Sequence, residues 1–275
     1  MRPRSVIFDV YGQYLRHRGS EASLQQLSRL LGRFGILPAT VRVTLTRMRS
    51  EGWLRSRRLG RSSLYALTDR ATTLLNEGQS RIFHRRTAPW CGSWQMVVHP
   101  AAEASRRDRE SVRRQLAWLG FAQLAADTWI APDPRRADTL SSLPHRLPGA
   151  AVFSARSSGL AADRLLAARC WDLARIDAGY REFVQRHAPT PPVCEGPPGE
   201  GSRAFVERTR LVNEYRRFPF QDPDLPHELL PPSWAGHDAH ALFLRLYQEL
   251  REPAWSYVDA VLETSARDRT LPDDV

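Results

Sequence analysis

Five arginines with a defined spacing are the residues most suited to chemistry in this chain: Arg42 and Arg47, then Arg57, Arg58 and Arg61, with Thr40, Val43 and Thr44 around the first pair. A guanidinium presents a planar fork of donors that meets phosphate or a guanine edge in bidentate fashion, and hydroxyls and a small apolar group complete a surface able to read duplex DNA. The charge distribution supports this. The chain of 275 residues carries a formal charge of +10, and its first 86 residues hold 17 arginines against the five carboxylates Asp9, Glu21, Glu51, Asp69 and Glu77. The other 189 hold 23 basic and 25 acidic residues, so the whole excess lies in the first third, as expected when one module meets a polyanion.

The elements that must position these side chains follow from the pattern. Val6, Ile7, Val10, Tyr11, Tyr14 and Leu15 predict an amphipathic helix over 5–17. After Gly19, Ser23-Leu24-Gln25-Gln26 has the form of a capping box, and Leu24, Leu27, Leu30 and Leu31 give a second helix ending near Gly32 or Gly35. Pro38 suits the first position of a third helix, with Val41, Leu45 and Met48 inward and Gly52 as its stop. The stretches 53–58 and 63–67 read as strands around a Leu59-Gly60-Arg61 tip, and Thr68 or Asp69 caps a helix reaching about Phe83. The sum is a winged helix-turn-helix over 1–88, with Thr40, Arg42, Val43, Thr44 and Arg47 on the reading helix and Arg57, Arg58 and Arg61 on the wing. A helical module of the same topology that binds protein is the alternative, and charge and shape together favour DNA.

Residues 89–187 predict a β-α-β-β-α-β order, with strands at 94–98, 121–124, 128–131 and 151–155, a short helix opened by Asp133-Pro134, and a trailing helix over 171–187. That is a ferredoxin-like α+β domain. The Pro- and Gly-rich stretch 188–201 reads as a linker or exposed loop. Phe205, Thr209 and Val212, then Leu242, Leu246 and Leu250, then Trp255, Val258 and Leu262 predict three helices packed as an all-helical unit over 202–275. The fold class is therefore α+β and multidomain.

Catalytic signatures are missing from the sequence: it has no Gly-rich phosphate loop, no Gly-x-Ser-x-Gly elbow and no His-Glu-x-x-His pair, so no enzymatic activity, catalytic residue, metal or cofactor is expected. His237, Asp238 and His240 cluster near a helix start, where a cap with exposed histidines explains them more simply than a metal site. Cys91, Cys170 and Cys194 are unpaired in spacing and read as reduced. No apolar run approaches the roughly 18 residues of a membrane span, and Asp9 interrupts the start of the chain, which predicts a cytoplasmic protein without membrane attachment. The proline-rich segment 222–236 reads as a rigid strap over the helical unit, or as the wall of a pocket in which Trp234 stands beside Arg216 and Arg217.

Several of these residues together resemble one family. Val41-Arg42, Leu45, Arg47-Met48, Gly52-Trp53-Leu54, Arg57-Arg58, Gly60-Arg61 and Tyr65-Ala66-Leu67-Thr68 are similar to the N-terminal domain of PaaX-type repressors, the regulators of phenylacetic acid degradation. The resemblance continues in Pro89-Trp90-Cys91-Gly92-Ser93-Trp94, with Cys91 where the family pattern has Asp, and in Asp222-Pro223, Leu225-Pro226, Leu229-Leu230-Pro231 and Trp234-Ala235-Gly236. It implies a homodimeric repressor of double-stranded operator DNA, a central domain like that of CRISPR-adaptation nucleases, and release by an aromatic acyl-CoA such as phenylacetyl-CoA. Arg216, Arg217, His227 and Trp234 are the candidates for that effector, since arginines beside aromatics suit phosphates and an apolar tail. Two rival readings are a metal-dependent nuclease built on the central domain, disfavoured because its first strand ends in Val98-His99-Pro100 without a carboxylate, and a DNA-binding scaffold without a small-molecule effector.

Overall fold

The computed structural model describes residues 1–60, 62–85, 89–99, 106–132, 147, 149–188 and 200–267. The chain divides into two compact units, one made of 1–83, 187–216 and 240–275, the other of 84–186 and 217–239.

The first unit starts with α1 (Pro3–Gln13), continued by a single 3-10 turn at Leu15–His17. The one helix expected over 5–17 is thus interrupted, because Tyr14 leaves helical geometry at φ −130°. A short strand, β1 (Glu21–Ser23), ends at the cap of α2 (Leu24–Gly32). The Gln26 amide N–H donates to Ser23 Oγ at 3.2 Å and the Ser23 N–H donates to Gln26 Oε1 at 2.8 Å, a reciprocal box that satisfies two of the helix's orphan donors. Gly35, at φ +74°, turns the chain, and Pro38 opens α3 (Pro38–Ser50). Gly52, at φ +75°, then leads into β2 (Leu54–Leu59) and β3 (Ser62–Leu67), a two-residue hairpin whose tip holds Gly60. Thr68 Oγ1 accepts from the Ala71 N–H and donates to the Gly52 carbonyl at 2.8 Å, which caps α4 (Asp69–Phe83) and pins it to the end of α3.

The pattern does not predict β1, since three residues carry no periodicity. It pairs antiparallel with β3, giving the order β1-β3-β2. The core of this unit joins Val6, Val10, Tyr11, Leu27, Leu30, Val41, Leu45 and Met48 to Phe205 of α8 (Glu200–Tyr215) and to Ala254 and Val258 of α10 (Arg251–Arg267). The three C-terminal helices form where the spacing predicts them, the third being α9 (Gly236–Glu249), but α8 and α10 share their core with the N-terminal helices. α8 begins at Glu200, inside the stretch expected to be a linker, of which 189–199 lie outside the described residues.

The second unit contains a four-stranded antiparallel sheet of order β5-β6-β4-β7, built from β4 (Trp94–Val98), β5 (Ala122–Ala125), β6 (Thr128–Pro132) and β7 (Ala151–Ala155). With α5 (Arg106–Trp118) between the first two strands, this is the ferredoxin-like arrangement. Val97, Leu116, Phe121, Trp129 and Ala131 form its core. The short helix expected after Asp133 lies outside the described residues. A helix that periodicity does not predict, α6 (Leu160–Cys170), precedes α7 (Leu173–His187); Trp94 Nε1 donates to its buried Asp163 at 2.6 Å. The Ala- and Arg-rich sequence of α6 lacks a clear apolar stripe, and so carries no helical signal of its own.

Candidate nucleic-acid interface

α3 positions the candidate surface. Its Val41, Leu45 and Met48 are essentially inaccessible. At 100° per residue this places Ala39, Val43, Thr46 and Ser50 on the opposite face, Arg42 and Arg49 on one flank, and Thr40, Thr44 and Arg47 on the other. All of these are exposed except Thr44, which is half-buried and donates its hydroxyl to the Thr40 carbonyl at 2.7 Å. The N-cap, Leu37, offers no side-chain acceptor, so the first N–H groups of α3 stay open at the positive end of the helix dipole, a setting that favours phosphate.

The arginines separate into two sorts. Arg47 Nε donates to Glu51 Oε1 at 2.8 Å, and Arg4 Nη1 meets the other oxygen of the same carboxylate at 2.6 Å. The hydrogen bond from Arg47 is the main reason that the Glu51 carboxyl is held below its ordinary pKa. Arg57 is likewise paired, its Nε 2.8 Å from Glu21 Oε1 across the neighbouring strand, and that bond lowers the pKa of Glu21. Arg42 and Arg58 form no hydrogen bond or ion pair among the described residues, and both are exposed. Arg61 lies outside the described residues.

Arg49 and Arg55 are two further exposed arginines, which the sequence pattern does not single out. Arg49 Nη1 donates to Ser56 Oγ at 3.3 Å, which ties α3 to β2. Ser56 and Arg58 share one face of that strand, whereas Arg55 and Arg57 share the other, on which Glu21 also lies two strands away across β3. Arg42, Arg49 and Arg58 therefore follow one another along a single side of the helix and hairpin, the first two about 10 Å apart along the helix axis. The i, i+7 spacing of Arg42 and Arg49 is the signal in the sequence that could have found this track. Beside it, an open groove of about 620 Å³ is lined by Ser23, Leu24, Gln25, Ser28, Arg29, Pro38, Ser62, Ser63 and Tyr65, which set several hydroxyls in a largely apolar wall next to the start of α3.

The effector candidates are placed as follows. Arg216 falls in the first unit, where Nη1 donates to the buried Asp9 at 2.8 Å and Nη2 to Ser5 Oγ. Arg217, His227 and Trp234 fall in the second. Arg217 is exposed, 5.1 Å from the Phe218 ring. His227 is exposed, with its ring 6.3 Å from that of His237. Trp234 is buried edge-on to Tyr180 at 5.7 Å, and a Cβ added at Gly236 would lie 2.3 Å from its Nε1. Tyr180 in turn donates to Asp222 at 2.7 Å, and Arg85 bonds the same carboxylate oxygen at 2.8 Å. The strap 222–236 is thus anchored to α7 by a polar triad and an indole. Of the histidines considered as ligands, His240 Nδ1 bonds the Tyr215 hydroxyl at 3.0 Å, and no group of three His, Cys, Asp or Glu among the described residues could hold a metal ion.

A helix with one face in the core and the other exposed, flanked by arginines and continuous with an arginine-bearing hairpin, is the kind of surface that a transcriptional regulator presents to nucleic acid. The chain belongs to the PaaX-like protein family: residues 2–71 match "PaaX-like protein", 87–167 match "PaaX protein central Cas2-like domain", and 171–260 match "PaaX-like protein C-terminal domain". It is 34% identical over 276 residues to the transcriptional repressor PaaX of Escherichia coli (strain K12), covering 98% of this chain and 86% of that protein. Among solved structures it is similar to an uncharacterized protein from Mycobacterium tuberculosis, with a TM-score of 0.65 and 26% identity over 94% of this chain and 97% of the other.

Proposed function

We propose that this protein is a repressor that grips double-stranded operator DNA through a winged helix-turn-helix, in which α2 and α3 are the two helices and β2–β3 the wing. The observation that carries this reading is the continuous exposed track from Arg42 through Arg49 to Arg58 beside the open N-terminus of α3. α3 enters the major groove, Arg42 and Arg49 reach phosphate or guanine edges on its flank, and Arg58 follows the backbone from the wing. The groove lined by Ser23, Gln25, Ser28 and Arg29 takes a phosphate strand at the foot of α2. Arg47 and Arg57 act mainly within the module, holding Glu51 and Glu21.

The same reading places the protein in the cytoplasm as a homodimer, with the helical C-terminal region serving dimerisation and effector response, and an aromatic acyl-CoA such as phenylacetyl-CoA as the releasing ligand. The resemblance to PaaX-type repressors supports it, and Arg217, which is exposed, is the effector candidate best placed to meet a phosphate. A ligand releases DNA only through its different affinity for the DNA-competent and DNA-incompetent states. The test is a fluorescence-anisotropy titration of the full-length protein on the DNA upstream of its own gene, with and without phenylacetyl-CoA. Salt-dependent binding that weakens with the thioester is expected; binding that ignores it removes the effector half, and binding no tighter than to random duplex removes the operator half.

A further inference from the structure

Val43 is 69% exposed at the centre of the face of α3 opposite the core, while every other valine in the first half of this unit is buried or nearly so. Its neighbours along that face are Ala39 and Thr46, one turn to either side, both shorter or more polar, so the valine is the most projecting apolar group there. A β-branched residue on an exposed helix surface has lower helix propensity than Ala, Gln or Arg and exposes apolar area to water. Its position therefore has no account in the folding of the isolated chain: it touches none of the core formed by Val41, Leu45 and Met48. The flanking cations account for it. With Arg42 and Arg49 meeting phosphates along its flank, a duplex seated on this face brings base edges against the central line of the helix.

The base edges exposed in the major groove carry a hydrogen-bonding atom on each of the four bases, thymine O4 included, and thymine alone adds an apolar C5-methyl group. A valine has no hydrogen-bonding atom in its side chain, so against adenine, guanine or cytosine it would leave a polar edge stripped of water and unpaired. Against thymine it buries methyl on methyl. From this geometry we infer that Val43 is a specificity-determining residue that reads the C5-methyl group of one thymine in each half-site. The inference rests on the operator-binding reading above and adds to it one base and the atom by which that base is recognised.

The test uses full-length protein and duplexes selected by it from a random pool, in which each thymine is then replaced singly by deoxyuridine, removing only the methyl. Val43→Ala keeps the helix, since alanine is the better helix former and the site is exposed. The wild type should lose about three- to fivefold in affinity at one thymine per half-site, the loss expected for one unburied methyl, and Val43→Ala should bind the thymine and deoxyuridine duplexes alike at that position. A methyl-sensitive position that persists unchanged in Val43→Ala, or wild-type binding indifferent to every deoxyuridine, overturns the assignment while leaving operator binding intact. A selection that yields no duplex bound more tightly than the starting pool overturns the operator reading, and this one with it.

Discussion

At the scale of single residues, the arginines divide by what already holds them. Arg42 and Arg58 have their guanidinium groups open to a ligand, so replacing either by alanine should weaken binding to all sequences and lower the salt slope of the binding constant by about one for each phosphate that is no longer neutralised. Arg57→Ala should change binding less and cost at most about 1 kcal/mol of stability, because an exposed ion pair is weak; anisotropy at several salt concentrations with urea unfolding separates the two outcomes. Asp9 makes a prediction of a different kind. Burial pushes its pKa from 3.8 up to about 6 against the opposing effects of Arg216 and Asn213. The folded state therefore favours the protonated carboxyl: its contribution to stability is full below about pH 4 and is lost as the pH rises through 6. Relative to Asp9→Asn, the wild type should lose on the order of 3 kcal/mol between pH 4 and 7, read from urea midpoints across that range.

At the scale of elements, the caps and turns that set the helix-hairpin succession were legible in the sequence because each is an interaction between residues two to four apart. The box of Ser23 and Gln26, the start of α3 at Pro38, the turn at Gly52 and the cap at Thr68 are of this sort. Ser23→Ala removes one acceptor and should destabilise the protein by about 0.5–2 kcal/mol, measurable as a lowered unfolding midpoint. The strap shows what local reading misses. Its Trp234-Ala235-Gly236 run reads as part of a rigid strap or as a pocket wall, and only the packing shows the indole against the Gly236 backbone and the Tyr180 ring. A methyl at 236 collides with that indole, so Gly236→Ala should cost about 1–3 kcal/mol and shift the near-ultraviolet circular dichroism of the tryptophans.

At the scale of the molecule, the N-terminal module does not complete its own core. Phe205 is fully buried against Tyr14 at 5.4 Å and Phe34 at 5.5 Å, and Ala254 and Val258 close the same cluster. Gln26 Nε2 donates to the Leu262 carbonyl, Arg18 pairs with Asp259, and Asn213 and Arg216 hold Asp9. Phe205→Ala should therefore cost about 3–5 kcal/mol in a position far in sequence from the module it supports. A fragment of residues 1–85 should be protease-sensitive and bind DNA poorly, whereas a fragment that behaves like the full-length protein in limited proteolysis would contradict the shared core. Side chains of α3, α8 and α10 thus belong to one core.

Near neighbours and simple counting were enough to read the periodic helices, the capped ends, the glycine turns, the α+β order of the central sheet and the excess of arginine in the first third. Three features emerged only once the elements packed: which arginines face outward unpaired, the reach of Arg57 across β3 to Glu21 on a three-residue strand, and the completion by helices from 200 onward of the core begun at Val6. The difference is one of range. A helix or turn is specified by interactions within a few residues, whereas an ion pair across a sheet or a ring inserted between distant helices depends on how whole elements come together, and the same arginine-rich pattern is compatible with several such packings.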